Sequence, residues 1–251
     1  MPSVKSKPQT WMFASDFHGD NACPDSVEHF FKHLEILKPD IRVFGGDLFD
    51  FRAIRKGASA EERGESMSAD VEAGLGFLER FQPHVFLRGN HDERMWDASK
   101  SAEHGIIRDA ATDAVKDISK KVRGIGAKML PYDATDGVYS LGKLSFIHGF
   151  HAGLYATKKH AEVYAQEGGI VLHGHTHGIQ QASIARRNGA GGMSVGCLAR
   201  LDMEYNRHQT GRLIHANGWA YGVVWKGGFE AMQASRSKDG SWITATGFGK
   251  L

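Results

Sequence analysis

An α/β fold, with a largely parallel sheet and helices packed outside it, is what the sequence predicts. Three observations carry that expectation. Short apolar runs alternate with helical periods through the first half of the chain, the pattern of strand–helix–strand units. Polar clusters rich in Asp, Asn and His follow those runs directly, where the active sites of open α/β sheets lie. The last third then changes to short, closely spaced strands separated by turn residues. A chain of 251 residues can bury an ample core without staples, and no linker, repeat or low-complexity stretch divides it. The expectation is one domain over residues 1–251.

Residues 10–14 (TWMFA) read as a first buried strand, ended by Asp16-Phe17-His18-Gly19-Asp20. Residues 25–38 read as a helix, with Asp25 or Ser26 as cap, Val27, Phe30, Phe31, Leu34 and Leu37 on one face, and Pro39 as its stop. Residues 41–44 form a second strand running into Gly45-Gly46-Asp47-Leu48-Phe49-Asp50. The arginines and small residues of 51–66 predict a mobile loop beside the site. A helix over 68–81 leads to the strand Val85-Phe86-Leu87 and then to Gly89-Asn90-His91-Asp92, around which the rest is organised. A Gly and an Asn there allow a sharp turn. A short helix over 93–104 and a longer one over 106–122 follow, the second with a clear apolar period and a lysine-bearing solvated face. Residues 138–141 and 144–147 read as a hairpin ending at His148-Gly149, and 158–166 as a helix. The strand 170–172 ends at His173-Gly174-His175-Thr176-His177. Strands are then expected at 180–185, 193–197, 219–225, 229–234 and 242–246.

Composition excludes little. The formal net charge is +2, so nothing in the total demands nucleic acid as a partner. Two cysteines, Cys23 and Cys197, give no disulfide framework and point to a reducing compartment. No apolar run is long enough to span a bilayer, and residues 1–10 lack the apolar centre of a signal peptide. A cytoplasmic protein without membrane contact is the resulting expectation. The 14 histidines are the compositional oddity, and half of the argument rests on where they fall.

The five polar clusters suit one task. Asp16 and His18, two apart in extended backbone, project to one side and can clamp a cation. Asp47 can bridge two cations with its two oxygens. Asn90, His148 and His175 can complete a second ion, and His177 the first, with the two metals about 4 Å apart. Two divalent ions less Asp16, Asp47 and a bound hydroxide leave net positive charge, which attracts an anionic phosphate. An imidazole-rich shell favours Mn, Fe, Co, Ni or Zn over Ca or Mg, and Mn is placed first.

This order of motifs strongly resembles the calcineurin-like metallophosphoesterase superfamily: Asp16-Phe17-His18, Gly46-Asp47-Leu48-Phe49-Asp50, Gly89-Asn90-His91-Asp92, the lone His148, and Gly174-His175-Thr176-His177. The resemblance implies a four-layer αββα sandwich. It implies Asp16, His18, Asp47 and His177 on one metal, and Asp47, Asn90, His148 and His175 on the other. It makes His91 the residue that meets the leaving oxygen, with Asp92 beside it and Asp50 behind. It implies hydrolysis by in-line attack of a metal-held hydroxide. His151 competes with His148 for the lone-histidine position, and His173 reads as a core residue. His29, His33, His84, His104, His160, His208 and His215 carry no motif and read as structural or solvated. Arg52, Arg55, Arg94, Arg200 and Arg207 stand near the motifs and are candidates for substrate phosphate. The polar, basic and aromatic segment 201–219, with Tyr205, His208 and Arg212, suits either a single strand held by stacking and charge or a plain connection, and Met203 and Trp219 read as packing residues.

The leading expectation is a binuclear-metal-dependent phosphoesterase acting on phosphodiesters, with a nucleotide or nucleic acid among the candidate substrates. The alternatives are a phosphomonoesterase or protein phosphatase, and a non-catalytic metal-bearing interaction module. The sequence is silent on oligomeric state.

Overall fold

The layering follows from alternation within single strands. The computed structural model describes residues 7–101, 105–202, 210–244 and 247–248. In β1 (Gln9–Ala14), Trp11 and Phe13 face one side and Met12 and Ala14 the other, and all four are fully buried. A strand covered on both faces belongs in the middle of a layered molecule.

β1 lies beside β2 (Ile41–Phe44), then β3 (Val85–Leu87) and β4 (Lys128–Leu130), all parallel. On its other side it pairs antiparallel with β10 (Gly218–Trp225), followed by β11 (Gly228–Arg236), β12 (Trp242–Thr244) and β13 (Gly247–Phe248). The second sheet runs in the order β5 (Tyr139–Leu141), β6 (Leu144–Ile147), β7 (Ile170–His173), β9 (Gly191–Val195), β8 (Ile179–Ser183). Its three central strands are parallel, and both edges are antiparallel.

Trp11, Phe13, Val43 and Leu87 of the first sheet meet Leu144, Phe146, Leu172 and Val195 of the second, forming the inner core. The outer face of the first sheet is covered by α1 (Pro24–Leu37), α3 (Met67–Phe81), α4 (Asn90–Lys100) and α5 (Gly105–Gly124), through Phe30, Phe77, Phe81, Trp96 and Ile118 against Phe44 and Phe86. The outer face of the second is covered by α6 (Ala156–Tyr164), through Ala161 against Ile147 and Val171. The molecule is thus helix, sheet, sheet, helix: two mixed sheets with helices outside. No helix among the described residues is long and apolar enough to cross a membrane.

Register puts the motifs at one edge. Ala14 stands opposite Phe44 and Phe44 opposite Phe86, so the chain leaves all three strands at one level. In the second sheet Ile147 stands opposite His173, and His173 opposite Ser194.

Several local expectations are corrected. α1 starts one residue earlier than predicted, with Pro24 in its first turn and Cys23 as a cap that makes no side-chain bond. Proline's fixed φ suits that first position and supersedes Asp25 or Ser26. α4 begins at Asn90, so Asn90 and His91 lie on the first helical turn instead of a loop. Segment 51–66 is built structure: a 3₁₀ turn at Arg52–Ile54 and the short α2 (Ala60–Arg63), capped reciprocally by Ser59 and Glu62. Arg52 ties it to Asp20 through two bonds of 2.7 and 2.8 Å, and to Glu65. Those partners are 32 and 13 residues away, out of reach of a local pattern. β4 was not anticipated. The readings of His104, Met203, Tyr205, Arg207 and His208, and the end of the strand expected over 242–246, lie outside the described residues.

Candidate metal centre

The first, second and fifth motifs leave their strands through left-handed residues. Asp16 (φ 56°), His18 (57°), Asp47 (51°), His175 (65°) and His177 (54°) all take this conformation. It is uncommon for residues with a Cβ, and Asp and His are enriched there. The expectation that Asp16 and His18 share a side through extended backbone is therefore corrected: the backbone turns at each of them. The turn is secured by main-chain bonds from Asp16, Phe17, His18 and Gly19 N–H to Gly46, Asp47, Asp47 and Leu48 carbonyls. It brings the side chains together all the same.

Seven predicted donors form two adjoining groups. In one, His18 Nε2 lies 3.1 Å from His177 Nε2, His177 Nε2 lies 3.3 Å from Asp16 Oδ1, and His18 Nε2 lies 3.8 Å from Asp47 Oδ2. In the other, Asn90 Oδ1 lies 3.0 Å from His148 Nε2 and 2.7 Å from His175 Nδ1, and His148 Nε2 lies 3.4 Å from Asp47 Oδ2. Asp47 Oδ2 thus stands between the groups. Atoms bound at roughly 2.0–2.2 Å to one ion sit about 3–3.5 Å from one another; four of these six separations fall in that range, with Asn90–His175 shorter and His18–Asp47 longer. Two imidazole nitrogens 3.1 Å apart need a shared proton or a cation between them. The donor set fits divalent transition metals, and the residues meet that test on spacing and on chemistry.

Two glycines make the approach feasible. A Cβ on Gly89 would collide with Asp47 Oδ1, and one on Gly174 with Ser15 Oγ and Asp16 Oδ2.

Around the donors lies a ring of orienting groups. His148 Nδ1 donates to the Gly45 carbonyl at 2.8 Å, which turns Nε2 toward Asp47, where it can offer a lone pair to a cation once its proton is lost. Asp50, fully buried, accepts from His91 Nδ1 at 2.8 Å and from Asn21 Nδ2 at 2.8 Å, and its Oδ1 lies 3.4 Å from His18 Nδ1. His91 Nε2 then points back toward the donors, 3.9 Å from Asp47 Oδ2. Asp92 is fully buried and bonds main chain instead of the donors. Its two oxygens accept from Phe49 N–H at 3.0 Å and Gly89 N–H at 2.8 Å, clamping the second motif to the third.

The carboxylates dominate the field. Burial works against charge on His18, yet Asp50, with Asp47 and Asp16 behind it, raises it to about 9. His148 is raised to about 9 in the same way, burial being outweighed by Asp47. Burial and the charge of His148 lower His175 to about 4. Burial would raise Asp16, but His177 holds it at about 2. Asp47 and Asp50 lie well below the usual carboxylate range, their histidine partners overcoming burial. Burial lowers His91, with Asp47 and Asp50 pulling the other way. Burial and Asp47 push Asp92 up to about 7.

The remaining candidates separate cleanly. His151 is not among the donors: its backbone N–H donates to His160 Nε2 at 3.0 Å. His173 is fully buried between the Gly174 carbonyl and Thr157 Oγ1. Arg94 donates to the Asp50 carbonyl at 2.7 Å, Arg55 pairs with Glu62 at 2.6 Å, and Arg52 is held by Asp20 and Glu65. Three of the arginines expected to meet phosphate are therefore engaged in holding the protein together. Arg200 is exposed.

Sequence reasoning missed Asp70, which accepts from Asp50 N–H at 3.0 Å and Phe51 N–H at 2.7 Å, and so shapes the turn that presents Asp50. It also missed Asn21, while His160, read as structural or solvated, is structural. His160 takes the N–H groups of Phe150 and His151 behind His148 and is lowered to about 2 by burial, then by His173. Neither Asp70 nor Asn21 lies in a motif, so only contact could reveal them.

Residues 10–178 match the family described as calcineurin-like phosphoesterase. No curated protein matches the chain in sequence. Among solved structures, Vps29 from Chaetomium thermophilum is similar with a TM-score of 0.50 at 11% identity, over 94% of this chain and 93% of that one. Yfce, a phosphoesterase from E. coli, is similar at 0.44 and 13% identity, over 94% of this chain and 97% of that one. A metallophosphoesterase from Sphaerobacter thermophilus stands at 0.44 and 11%, over 90% and 88%. At such identities the likeness concerns the fold alone.

Proposed function

This chain belongs to the calcineurin-like phosphoesterase family, and on that premise we propose that it is a binuclear-metal phosphodiesterase. Asp16, His18, Asp47 and His177 would hold one divalent cation, and Asp47, Asn90, His148 and His175 the other. Mn comes first among the candidates, with Fe, Zn, Ni and Co also suited to an imidazole-rich shell. Such cations supply water acidic enough to attack near neutral pH and neutralise charge on the phosphoryl group.

The chain's own residues do the rest. Asp47 and Asp16 fix the electrostatic centre that the phosphate must approach. His91 is the proton donor to the leaving oxygen. With Nδ1 bonded to Asp50 Oδ1, its Nε2 faces the donors, and Asp50 steadies the ring when it carries two protons. Burial lowers its affinity for the second proton, which suits a group that must release it. Asp92 and Asp70 act through geometry, holding the second motif against the third and presenting Asp50.

The observation that carries the reading is the convergence of seven donors beside a histidine–carboxylate pair. Diester over monoester is favoured by charge. Arg52, Arg55 and Arg94 are committed to Asp20, Glu62 and the Asp50 carbonyl, so none of the three is spare for a monoester's second negative charge.

Metal content by plasma mass spectrometry, with turnover of bis-p-nitrophenyl phosphate against p-nitrophenyl phosphate, tests this. The expected result is two equivalents of metal and faster hydrolysis of the diester. Faster hydrolysis of the monoester makes the protein a phosphomonoesterase. Turnover of neither by metal-loaded protein overturns the enzymatic reading in favour of a binding module.

A further inference from the structure

The turn that follows His148 is held unlike those of the first two motifs. Around Asp16 and Asp47, main-chain bonds secure the backbone. Among the described residues, the main chain of 149–151 bonds only to two side chains. His160 Nε2, on α6, accepts from Phe150 N–H at 2.9 Å and from His151 N–H at 3.0 Å. Tyr132, two residues past β4, donates its hydroxyl to the Gly149 carbonyl at 3.1 Å. Its ring meets the His148 ring edge-on, with centroids 5.7 Å apart, and stacks on Phe150 at 5.1 Å. One of the two side chains thus follows the first sheet, and the other comes from the helix outside the second.

His160 is an awkward residue for packing alone. A ring nitrogen that accepts two N–H groups carries no proton, so the proton of the neutral imidazole sits on Nδ1. That Nδ1 is buried and has no hydrogen-bond partner among the described residues. A buried donor left unbonded costs stability, so the side chain stands there for its acceptor. The turn it holds lies against both imidazoles of the second donor group. Gly149 takes φ 130°, and a Cβ on it would come within 2.8 Å of His175 Cβ. The His148 carbonyl accepts from Gly174 N–H at 2.8 Å, which ties the fourth motif to the fifth. A displacement of 149–151 therefore moves His148 directly and presses on His175.

We propose that His160 and Tyr132 are positioning residues for one cation of the pair, the one assigned to Asp47, Asn90, His148 and His175. They clamp the turn 149–151 from two sides and so keep His148 and His175 at ligating distance from Asn90, without touching the ion themselves. The inference rests on the binuclear reading above. It makes the two cations unequal in what supports them. Asp16, His18 and His177 bond to neither clamp residue, so the cation they hold is indifferent to the clamp. Outer groups that orient metal-binding histidines typically carry about 10–100-fold in metal affinity, and here that share falls on one site alone.

The test dialyses metal-free protein and the variants H160A, H160Q and Y132F against a series of buffered free Mn²⁺ concentrations and measures Mn bound per chain. The unmodified protein is expected to reach two equivalents. H160A should fill one site as before and need about tenfold more free Mn²⁺, or a greater excess, to fill the other. Y132F deletes the hydroxyl, keeps the stack, and should weaken the same site by about fivefold, the worth of one hydrogen bond. H160Q places an amide oxygen near the position of Nε2 and should restore that site to within about twofold. Two equivalents bound by H160A and Y132F with unchanged affinity overturn the proposal. So does equal weakening of both sites, which marks a general effect on the fold, and so does an H160Q protein no better than H160A. If circular dichroism shows H160A unfolded, Y132F is read alone by the same criteria, a shift at one site supporting the clamp and no shift overturning it. An unmodified protein that binds fewer than two equivalents overturns the binuclear reading instead.

Discussion

One oxygen of Asp47 faces His18 at 3.8 Å and His148 at 3.4 Å, imidazoles that belong to different donor groups. Replacing it with Asn should remove both cations and the activity together, read by metal content and turnover. His91→Ala should keep the metals and lose about 10²–10⁴-fold in rate, most with poor leaving groups such as alkyl esters. Far from the centre, His33 is fully buried and accepts from Trp219 Nε1 at 2.9 Å, and burial lowers it to about 4. A lowered histidine makes the unfolded chain the better proton binder below its ordinary value of 6.5. Stability from this group is therefore whole above pH 6.5 and falls as pH drops toward 4, by about 1.4 kcal/mol per unit in that window. His33→Asn, which keeps an acceptor, should flatten the acid limb of urea unfolding by about one proton. At this scale the donors were legible because chemistry needs particular side chains at strand ends. Asp70 and Asn21 were not, because their bonds join residues 20 and 29 positions apart. The arginines misled because charge in sequence does not say whether an acid already holds it.

Elements position the centre by ending together, and two loops must touch for it to close. Gly174 passes so near Ser15 and Asp16 that Gly174→Ala must push the fifth motif off the first. The strands stay paired, so the expected outcome is weak metal binding with near-native circular dichroism, measured by titration with Mn or Zn. The long buried strands and the periodic helices were readable because one repeat runs through each. β4 is three residues long, with an exposed Lys128 at its head, and offers no period to read. Segment 51–66 looked loose because its glycines and charges are those of a loop, while its order comes from Asp20 and Glu65. α4 begins earlier than its periodicity suggests because Asp92 accepts from Gly89 N–H and caps the turn from within.

At the scale of the molecule, the donors are divided between the layers. Asp16, Asp47 and Asn90 follow strands of the first sheet, whereas His148, His175 and His177 follow strands of the second. Cations bound there hold sheet to sheet and favour only the folded form. At a free concentration 100 times Kd they add about 2.7 kcal/mol, so stripping with EDTA should lower Tm by about 5–10 °C, seen by differential scanning fluorimetry and reversed by added metal. The layered architecture was legible from alternation along single strands such as β1. The division of labour between the layers was not, since sequence order says nothing about which sheet a strand joins. That division also sets a chronology. Neither half of the chain owns a complete cage, so during refolding a cation can be gripped only after Trp11 and Phe13 have docked on Phe146, and capture of the ion marks the close of assembly, never its beginning.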